Sequence, residues 1–385
     1  MDERDRFAGT RRRIHVQQRP SMSKITFDQA TSGFHAAINK RVDAYFREKG
    51  IKRTGNAALY SKAIILLIGA VVIYGTLLFV PLPWYLALPL CGLFGFTLAS
   101  IGFNIMHDAC HGGFSESQKV NDIAGLSLNC LGGNAFIWKL KHNIIHHTYT
   151  NVDGVDDDIA KLPLIRQCES QKWNPAHRTQ HFYMFLIYGL SSFLWAFAMD
   201  FVKYFTGAVY RTPISSFPLK EHVIFWVSKL LYVFFYIALP IYLLGFTPWI
   251  IGFFTMHFAM GLTLAIVFQL AHVVEGVHFE EGYNDKRIAQ EWAKHQVITT
   301  ANFAMRSKFV NWVVGGLNFQ IEHHLFPRVS HVHYPAIAPI VQEVCKEHGV
   351  QYTSFPTVGK AVASHYRFMR WLGQRGDQQP MKAAA

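Results

Sequence analysis

The stretch AIILLIGAVVIYGTLLFVPLPWYLALPLCGLFGFTLASIGFNIM, residues 63–106, contains no Asp, Glu, Lys or Arg. About 20 apolar residues suffice to cross the hydrocarbon core of a bilayer, so the stretch has room for two crossings. The Pro81-Leu82-Pro83-Trp84 segment is a natural turn between them, and spans are expected at 63–80 and 84–105. The pattern recurs once. Leu230 to Val274 is again free of formal charge, with Gly245-Phe246-Thr247-Pro248-Trp249 as its turn. Spans are expected at 223–244 and 249–271, with Lys229 snorkelling to the interface from the first of these. A fifth apolar stretch, 182–199, can either cross or lie in the interface.

Charge chooses between the two. Neither hairpin turn carries a basic residue, whereas residues 1–62 carry 14 Lys and Arg and the connecting and C-terminal segments are also rich in them. The positive-inside rule places those segments in the cytoplasm. Two hairpins leave both termini inside, and a fifth crossing would put the C-terminal segment outside, so 182–199 is expected to be interfacial. The expected fold class is an all-α integral membrane protein, four transmembrane helices beneath a cytoplasmic helical cap. Its organisation is a cytoplasmic segment at 1–60, a main body at 61–350 and a cytoplasmic tail at 351–385. No internal repeat is found.

Composition agrees. The 385 residues are 51% hydrophobic and 15% aromatic, with a formal net charge of +12. A basic balance suits nucleic acid or the anionic inner face of a membrane; the apolar stretches decide for the membrane and against nucleic acid. Five scattered cysteines, Cys91, Cys110, Cys130, Cys168 and Cys345, form no CxxC, which suits a reducing compartment. Residues 1–21 are Arg-rich without an apolar core, so no cleavable signal is expected there. They read as an over-extended start or a disordered tail, and Asp2, Glu3 and Asp5 count against a transit peptide.

Seven of the twenty histidines fall in three tight clusters: His107-Asp-Ala-Cys-His111, His142-Asn-Ile-Ile-His146-His147 and Gln320-Ile-Glu-His323-His324. Residues three and four apart share a helix face, and neutral imidazole is the commonest biological metal ligand. One such cluster is weak. Three, all on the side assigned to the cytoplasm, exceed what one tetrahedral zinc needs and suit two metals. His272, at the end of the fourth span with Gln269 a turn before it, is an eighth candidate, or a histidine at the water interface.

The clusters resemble the three histidine boxes of the membrane fatty acid desaturases. Gln320, within Gly315-Gly316-Leu317-Asn318-Phe319-Gln320-Ile321-Glu322-His323-His324-Leu325-Phe326-Pro327, resembles the opening of the third box in the front-end subfamily. So do His142-Asn143 running into His146-His147-Thr148-Tyr149-Thr150-Asn151, and His331-Val332-His333-Tyr334-Pro335 after the third box. The resemblance covers roughly residues 60–350. It implies a bent acyl tunnel and two iron ions using O2 as co-substrate, with His107, His111, His142, His146, His147, His272, His323 and His324 as ligands. Gln320, where many relatives have histidine, would bind weakly or through water. The implied reaction is desaturation of a lipid-linked or CoA-linked acyl chain on the carboxyl side of an existing double bond. An unactivated methylene C–H is not acidic, so the metal must remove it.

Asp108, Asp153, Asp156, Asp157 and Glu322 are candidates to orient the imidazoles, although the Asp156-Asp157-Asp158 run also reads as a solvated loop. Lys139, Lys141 and Arg166 suit a phosphate or simple interfacial charge, and Trp138 a tunnel mouth or an interfacial aromatic. His331 and His333 can stand behind the ligands; His15, His35, His348 and His365 read as surface. The His-Pro-Gly-Gly haem motif of cytochrome b5 fusions does not occur, so a separate ferredoxin or cytochrome b5 with its reductase is the expected electron donor, and the bacterial inner membrane the expected location. A membrane hydroxylase or sphingoid-base enzyme of the same superfamily is the nearest rival. A metal transporter is the remote one, since transport would put ligands at mid-membrane depth, where only His257 lies.

Overall fold

The computed structural model describes residues 25–28, 33–159, 164–210, 212–281 and 287–375; the expectations for residues 1–21 and for His15 lie outside them. Helix α1 (Phe34–Lys49) is the first helix among the described residues. Five helices follow that are long and apolar enough to cross a membrane: α2 (Ala57–Phe79), α3 (Trp84–His111), then, after the short α4 (Ala135–Lys139), α5 (Pro175–Thr206), α6 (Leu219–Leu244) and α7 (Phe246–His272). Four coincide with the expected spans. The fifth, α5, is longer than the interfacial helix expected at 182–199.

Lipid-facing flanks of these helices are left bare, as at Ile64, Ile65, Val71, Val72 and Trp84. Their inner faces pack closely, because apolar side chains gain little by leaving lipid for each other and small residues must bring backbones together. A Cβ on Gly95 of α3 would lie 2.1 Å from the Met256 carbonyl oxygen of α7, and one on Gly261 of α7 would lie 2.6 Å from that of Gly189 in α5. The turn between α6 and α7 is tighter than expected. Gly245 alone separates them at φ 83°, a conformation that suits glycine, and Pro248 falls in the first turn of α7.

Several helices carry π-helical segments, Trp195–Met199 in α5 and Phe234–Ala238 in α6 among them, and two such segments adjoin the histidine boxes. Before the first box, α3 passes through a π-helical segment, Gly102–Met106. After α4 the chain runs through a second, Leu140–His146. Such bulges shift side chains around the helix and gather at functional sites.

Outside the five long helices the described chain is mostly helical, with short strand pairs where the sequence promised no convincing strand. Among the described residues they include Ala301–Phe303 with Thr353–Phe355, in parallel, and Val152–Asp153 with Glu280–Glu281. Helix α8 (Trp292–Ile298) and the third-box helix α9 (Gln320–Leu325) pack against α10 (Tyr334–Glu347) and α1. The α1 face Phe34, Ile38, Val42, Phe46 has a four-residue period and is buried on Ile321, Ile337, Val341 and Val344. The tail beyond 350 is not loose: α11 (Val358–Arg375) lies over α5 and α7.

Three charged or polar residues fall elsewhere than expected. Lys229 does not snorkel; it is buried, donating to the Gly132 and Ala196 carbonyls and lying 3.2 Å from Asp200. Arg166 is held by the carbonyls of Gln171 and Leu372, so it faces chain rather than phosphate. His365 is not on the surface: it is 2% exposed, between Tyr188 Oη and the Val273 carbonyl. Apolar periodicity finds buried aliphatics but says little about a polar side chain whose partner is remote in sequence.

Candidate metal centre

All eight histidines proposed as ligands are buried and converge from four places: the end of α3 (His107, His111), the second π-segment (His142, His146, His147), the end of α7 (His272) and α9 (His323, His324). They divide into two groups. In one, a ring nitrogen from each of His107, His111, His142 and His323 lies within 4.8 Å of the others; in the second the same holds for His146, His272 and His324. His147 sits between, its ring centroid 4.6 Å from that of His323 and 4.4 Å from that of His324.

The π-segment shapes this arrangement, although the His142 and His146 rings remain stacked 5.1 Å apart. On an ordinary helix His142 and His146 would share a face. In the π-turn the His147 amide donates to the His142 carbonyl, 3.0 Å away, so the five-residue pair closes instead. His142 and His147 place their Nε2 atoms 3.2 Å apart, while His146 is turned to the second group.

Three of the rings have a hydrogen-bond partner behind them. Nδ1–H of His146 donates to Asp156 Oδ2 (3.0 Å), that of His323 to Tyr334 Oη (3.1 Å) and that of His324 to Gln296 Oε1 (2.9 Å). With Nδ1 protonated, Nε2 presents its lone pair. The Nε2 atoms of His107, His111, His146, His323 and His324 are buried without a hydrogen-bond partner. Buried polar atoms are normally satisfied, so a convergent set of orphaned imidazole nitrogens fits metal ions.

Electrostatics points the same way. Burial, then crowding by neighbouring imidazoles, holds His142, His147, His323 and His324 well below the usual histidine range; they are neutral at physiological pH. His146 is the exception. Burial lowers it too, but the Asp156 carboxylate outweighs burial and raises it.

The remaining candidates separate. Asp156 stands behind His146. Asp153 does not: it takes hydrogen bonds from Ser170 and Gln171. Asp157 pairs with Lys203 and Lys141. Asp108 accepts from Ser330 Oγ and from the His331 backbone amide. Glu322 accepts from Asn302 and Tyr352, and burial pushes it up to about 7; it pins α9 to the neighbouring strand pair rather than orienting an imidazole. Carboxylates near the boxes in sequence thus mostly serve the scaffold, because their side chains leave the helices away from the rings. Gln320 is buried with its Nε2 unpaired. Trp138 is no interfacial aromatic: it is buried and stacks on His142, ring centroids 4.3 Å apart, against His107 and His111.

Sequence reasoning passed over Gln296 and quoted Tyr334 and Asn151 within motifs without giving them a role. Asn151, at φ 56°, donates through Nδ2 to the carbonyls of His272, His278 and Thr299 and so ties the second box to the end of α7. Asparagine tolerates the left-handed region better than most residues. That polar residue between a box and the charged run was the only signal.

With this geometry in hand, the comparisons are informative. The profile of the family described as "Fatty acid desaturase" matches residues 80–356. The chain is 36% identical over 350 residues to an sn-1 linoleoyl-lipid 6-desaturase of Arthrospira platensis, an alignment covering 90% of this chain and 94% of that one. It is 34% identical over 354 residues to an sn-1 linoleoyl-lipid 6-desaturase of Synechocystis, with 91% and 98% covered. An acyl-lipid (8-3)-desaturase of Physcomitrium patens is 35% identical over 352 residues, with 90% and 73% covered.

Proposed function

The chain belongs to the fatty acid desaturase family, and on that premise we propose that it desaturates an acyl chain carried on a membrane lipid, on the carboxyl side of an existing double bond, at two iron ions held by His107, His111, His142, His146, His147, His272, His323 and His324. It is a fatty-acyl desaturase, an oxidoreductase of lipid metabolism. The observation that carries the iron assignment is the division of the imidazoles into two buried groups bridged by His147.

Iron at such a site supplies, with O2, the power to remove hydrogen from an unactivated methylene, which no side-chain base can do. The chain's own residues do the rest. Asp156, Tyr334 and Gln296 keep a proton on the outer nitrogen of three imidazoles and hold the rings in place. Trp138 screens His107, His111 and His142 from water. An apolar cavity begins beside Met106, which precedes His107, and is lined by Leu128, Leu131, Ala196, Met260 and Leu264. It offers a dry, close-fitting place for methylenes, and holding a chain so that two adjacent carbons reach the metal is what regioselectivity requires.

Substrate follows the relatives. Two are linoleoyl-lipid 6-desaturases, which supports a linoleoyl lipid as substrate and position 6 as the site of insertion. The electron donor is proposed to be a separate ferredoxin, or cytochrome b5 with its reductase. Four crossings with both termini and the histidines on the cytoplasmic face of the bacterial inner membrane is the proposed topology. It is supported by the basic residues of 1–62 and by the ends of α5. Near its start that helix is bonded to the segment after the second box, Gln180 to Arg166, and so is its last turn, Lys203 to Asp157. Both ends being tied to the histidine-bearing side favours a helix that lies in the interface over one that crosses.

Expression in a host lacking polyunsaturated lipids, fed linoleate, tests the reading, with His323→Ala as control. The expected product is a new double bond at position 6, absent from the control. A hydroxylated product would move the assignment to a hydroxylase, and a bond on the methyl side would remove the front-end reading.

A further inference from the structure

Lys62 stands one turn inside a membrane helix, yet it points inward and is 6% exposed. An isolated buried ammonium costs several kcal/mol unless it is paired. Its Nζ lies 2.7 Å from His331 Nε2 and 3.4 Å from the Trp312 carbonyl, over the Trp312 ring. On the far side of the same imidazole, His331 Nδ1 lies 2.9 Å from Asp108 Oδ2. The ammonium donates to Nε2, Nδ1 stands against the carboxylate in close polar contact, and lysine and aspartate balance in charge across the ring.

The line Lys62–His331–Asp108 joins three separate segments: α2, the first box and the turn after the third box. Asp108 is the residue after His107, and its Oδ2 also receives Ser330 Oγ at 2.7 Å and the His331 amide at 3.2 Å. Three residues beyond His331, Tyr334 Oη accepts from His323 Nδ1. The segment Ser330–Tyr334 therefore grips the first box through Asp108 and the third through His323. His107 and His323 belong to one ligand group, their ring centroids 4.4 Å apart. Nothing else is needed of Lys62 for membrane insertion, because an apolar residue would serve α2 better.

We propose that Ser330, His331 and Tyr334 form a clamp that sets the spacing of His107 and His323, and that Lys62 is the positioning residue anchoring this clamp to the membrane helix α2. The inference rests on the reading of the histidines as an iron site. Lys62 touches no ligand; it acts through His331 and Asp108. Loss of the anchor leaves every ligand in place but lets the two boxes drift, so iron is bound in an altered geometry.

The test is Lys62→Met and Lys62→Arg in the full-length, iron-loaded enzyme in lipid nanodiscs, with iron content, Mössbauer spectrum, and kcat and KM for linoleoyl lipid. Residues that support metal ligands from behind typically contribute roughly 10- to 100-fold to metal affinity or activity. The expected result for Lys62→Met is iron content within about twofold of wild type, KM within about twofold, kcat lower by roughly 10- to 100-fold and a changed Mössbauer spectrum, with Lys62→Arg recovering part of kcat. If Lys62→Met does not fold, Lys62→Met/His331→Phe replaces the buried polar pair with apolar groups and carries the same expectation. A folded Lys62→Met with wild-type kcat, or with reduced kcat and an unchanged spectrum, overturns the clamp alone. A wild-type protein that binds no iron overturns the clamp and the site reading together.

Discussion

Asp156 shows how much rests on one carboxylate. Its Oδ2 accepts from His146 Nδ1 and from the Asn151 amide, and Oδ1 accepts from the Asp158 amide. It orients a ligand of the second group and shapes the turn that aims Asn151 at the end of α7. Asp156→Asn keeps the shape but removes the charge and presents an amide NH2 where an acceptor is needed. Iron affinity is expected to fall roughly 10- to 100-fold, read as iron per protein after dialysis against a weak chelator, while circular dichroism stays unchanged. His365 makes a second prediction. Burial lowers it from 6.5 to about 4, so below pH 6.5 the unfolded chain binds a proton that the folded chain refuses until about pH 4. Stability from this group is complete above about 6.5 and is lost as pH falls through that window. The melting temperature of His365→Phe should be lower than wild type at pH 7.5, where Tyr188 and Val273 lose their partner. Its decline between pH 6.5 and 4.5 should be shallower; an equal slope would assign the acid sensitivity to other groups.

At the scale of elements, the π-turn Leu140–His146 is the feature on which the site turns. One extra residue in the turn pairs His142 with His147 and frees His146 for the other group. Deleting Ile144, whose side chain is 57% exposed, would return the segment to α-helical spacing at little cost in packing. The expected outcome is a folded protein whose iron content is halved or worse, measured by mass spectrometry of the metal. Full iron retention would show that the π geometry is incidental. The glycine contacts among α3, α5 and α7 act at the same scale. They set how closely the helices approach, and so where the ends of α3 and α7 deliver His107, His111 and His272.

For the whole molecule, the fate of α5 decides topology. By length and composition it can cross, yet both of its ends are bonded to the segment following the second box. Single cysteines at Val80, Thr179 and Thr206, all exposed, in a background freed of the native thiols, distinguish the cases. An impermeant maleimide added to intact cells is expected to label Val80→Cys, at the end of α2, and to reach Thr179→Cys and Thr206→Cys only after permeabilisation. Opposite accessibility of the last two would make α5 a fifth crossing and place the α6–α7 turn on the other side.

Much of this was present in the chain before any coordinates. Four of the five long helices follow from two charge-free stretches and their turns, because a bilayer accepts only long apolar segments whose backbone is bonded internally. The three boxes were legible because clustered histidines at three-, four- and five-residue spacing are costly to bury without a reason. What folding decided is who stands behind whom. Asp153 and Glu322 lie as near the boxes in sequence as Asp156, yet they serve Ser170, Gln171, Asn302 and Tyr352. Lys62 and Asp108 belong to one network although 46 residues separate them, joined by a histidine from beyond the third box. The reason is physical. Burial in a membrane is set by local apolar content, which a sequence displays residue by residue, whereas a hydrogen bond needs two groups within about 3 Å, and only the packed chain fixes which distant groups meet.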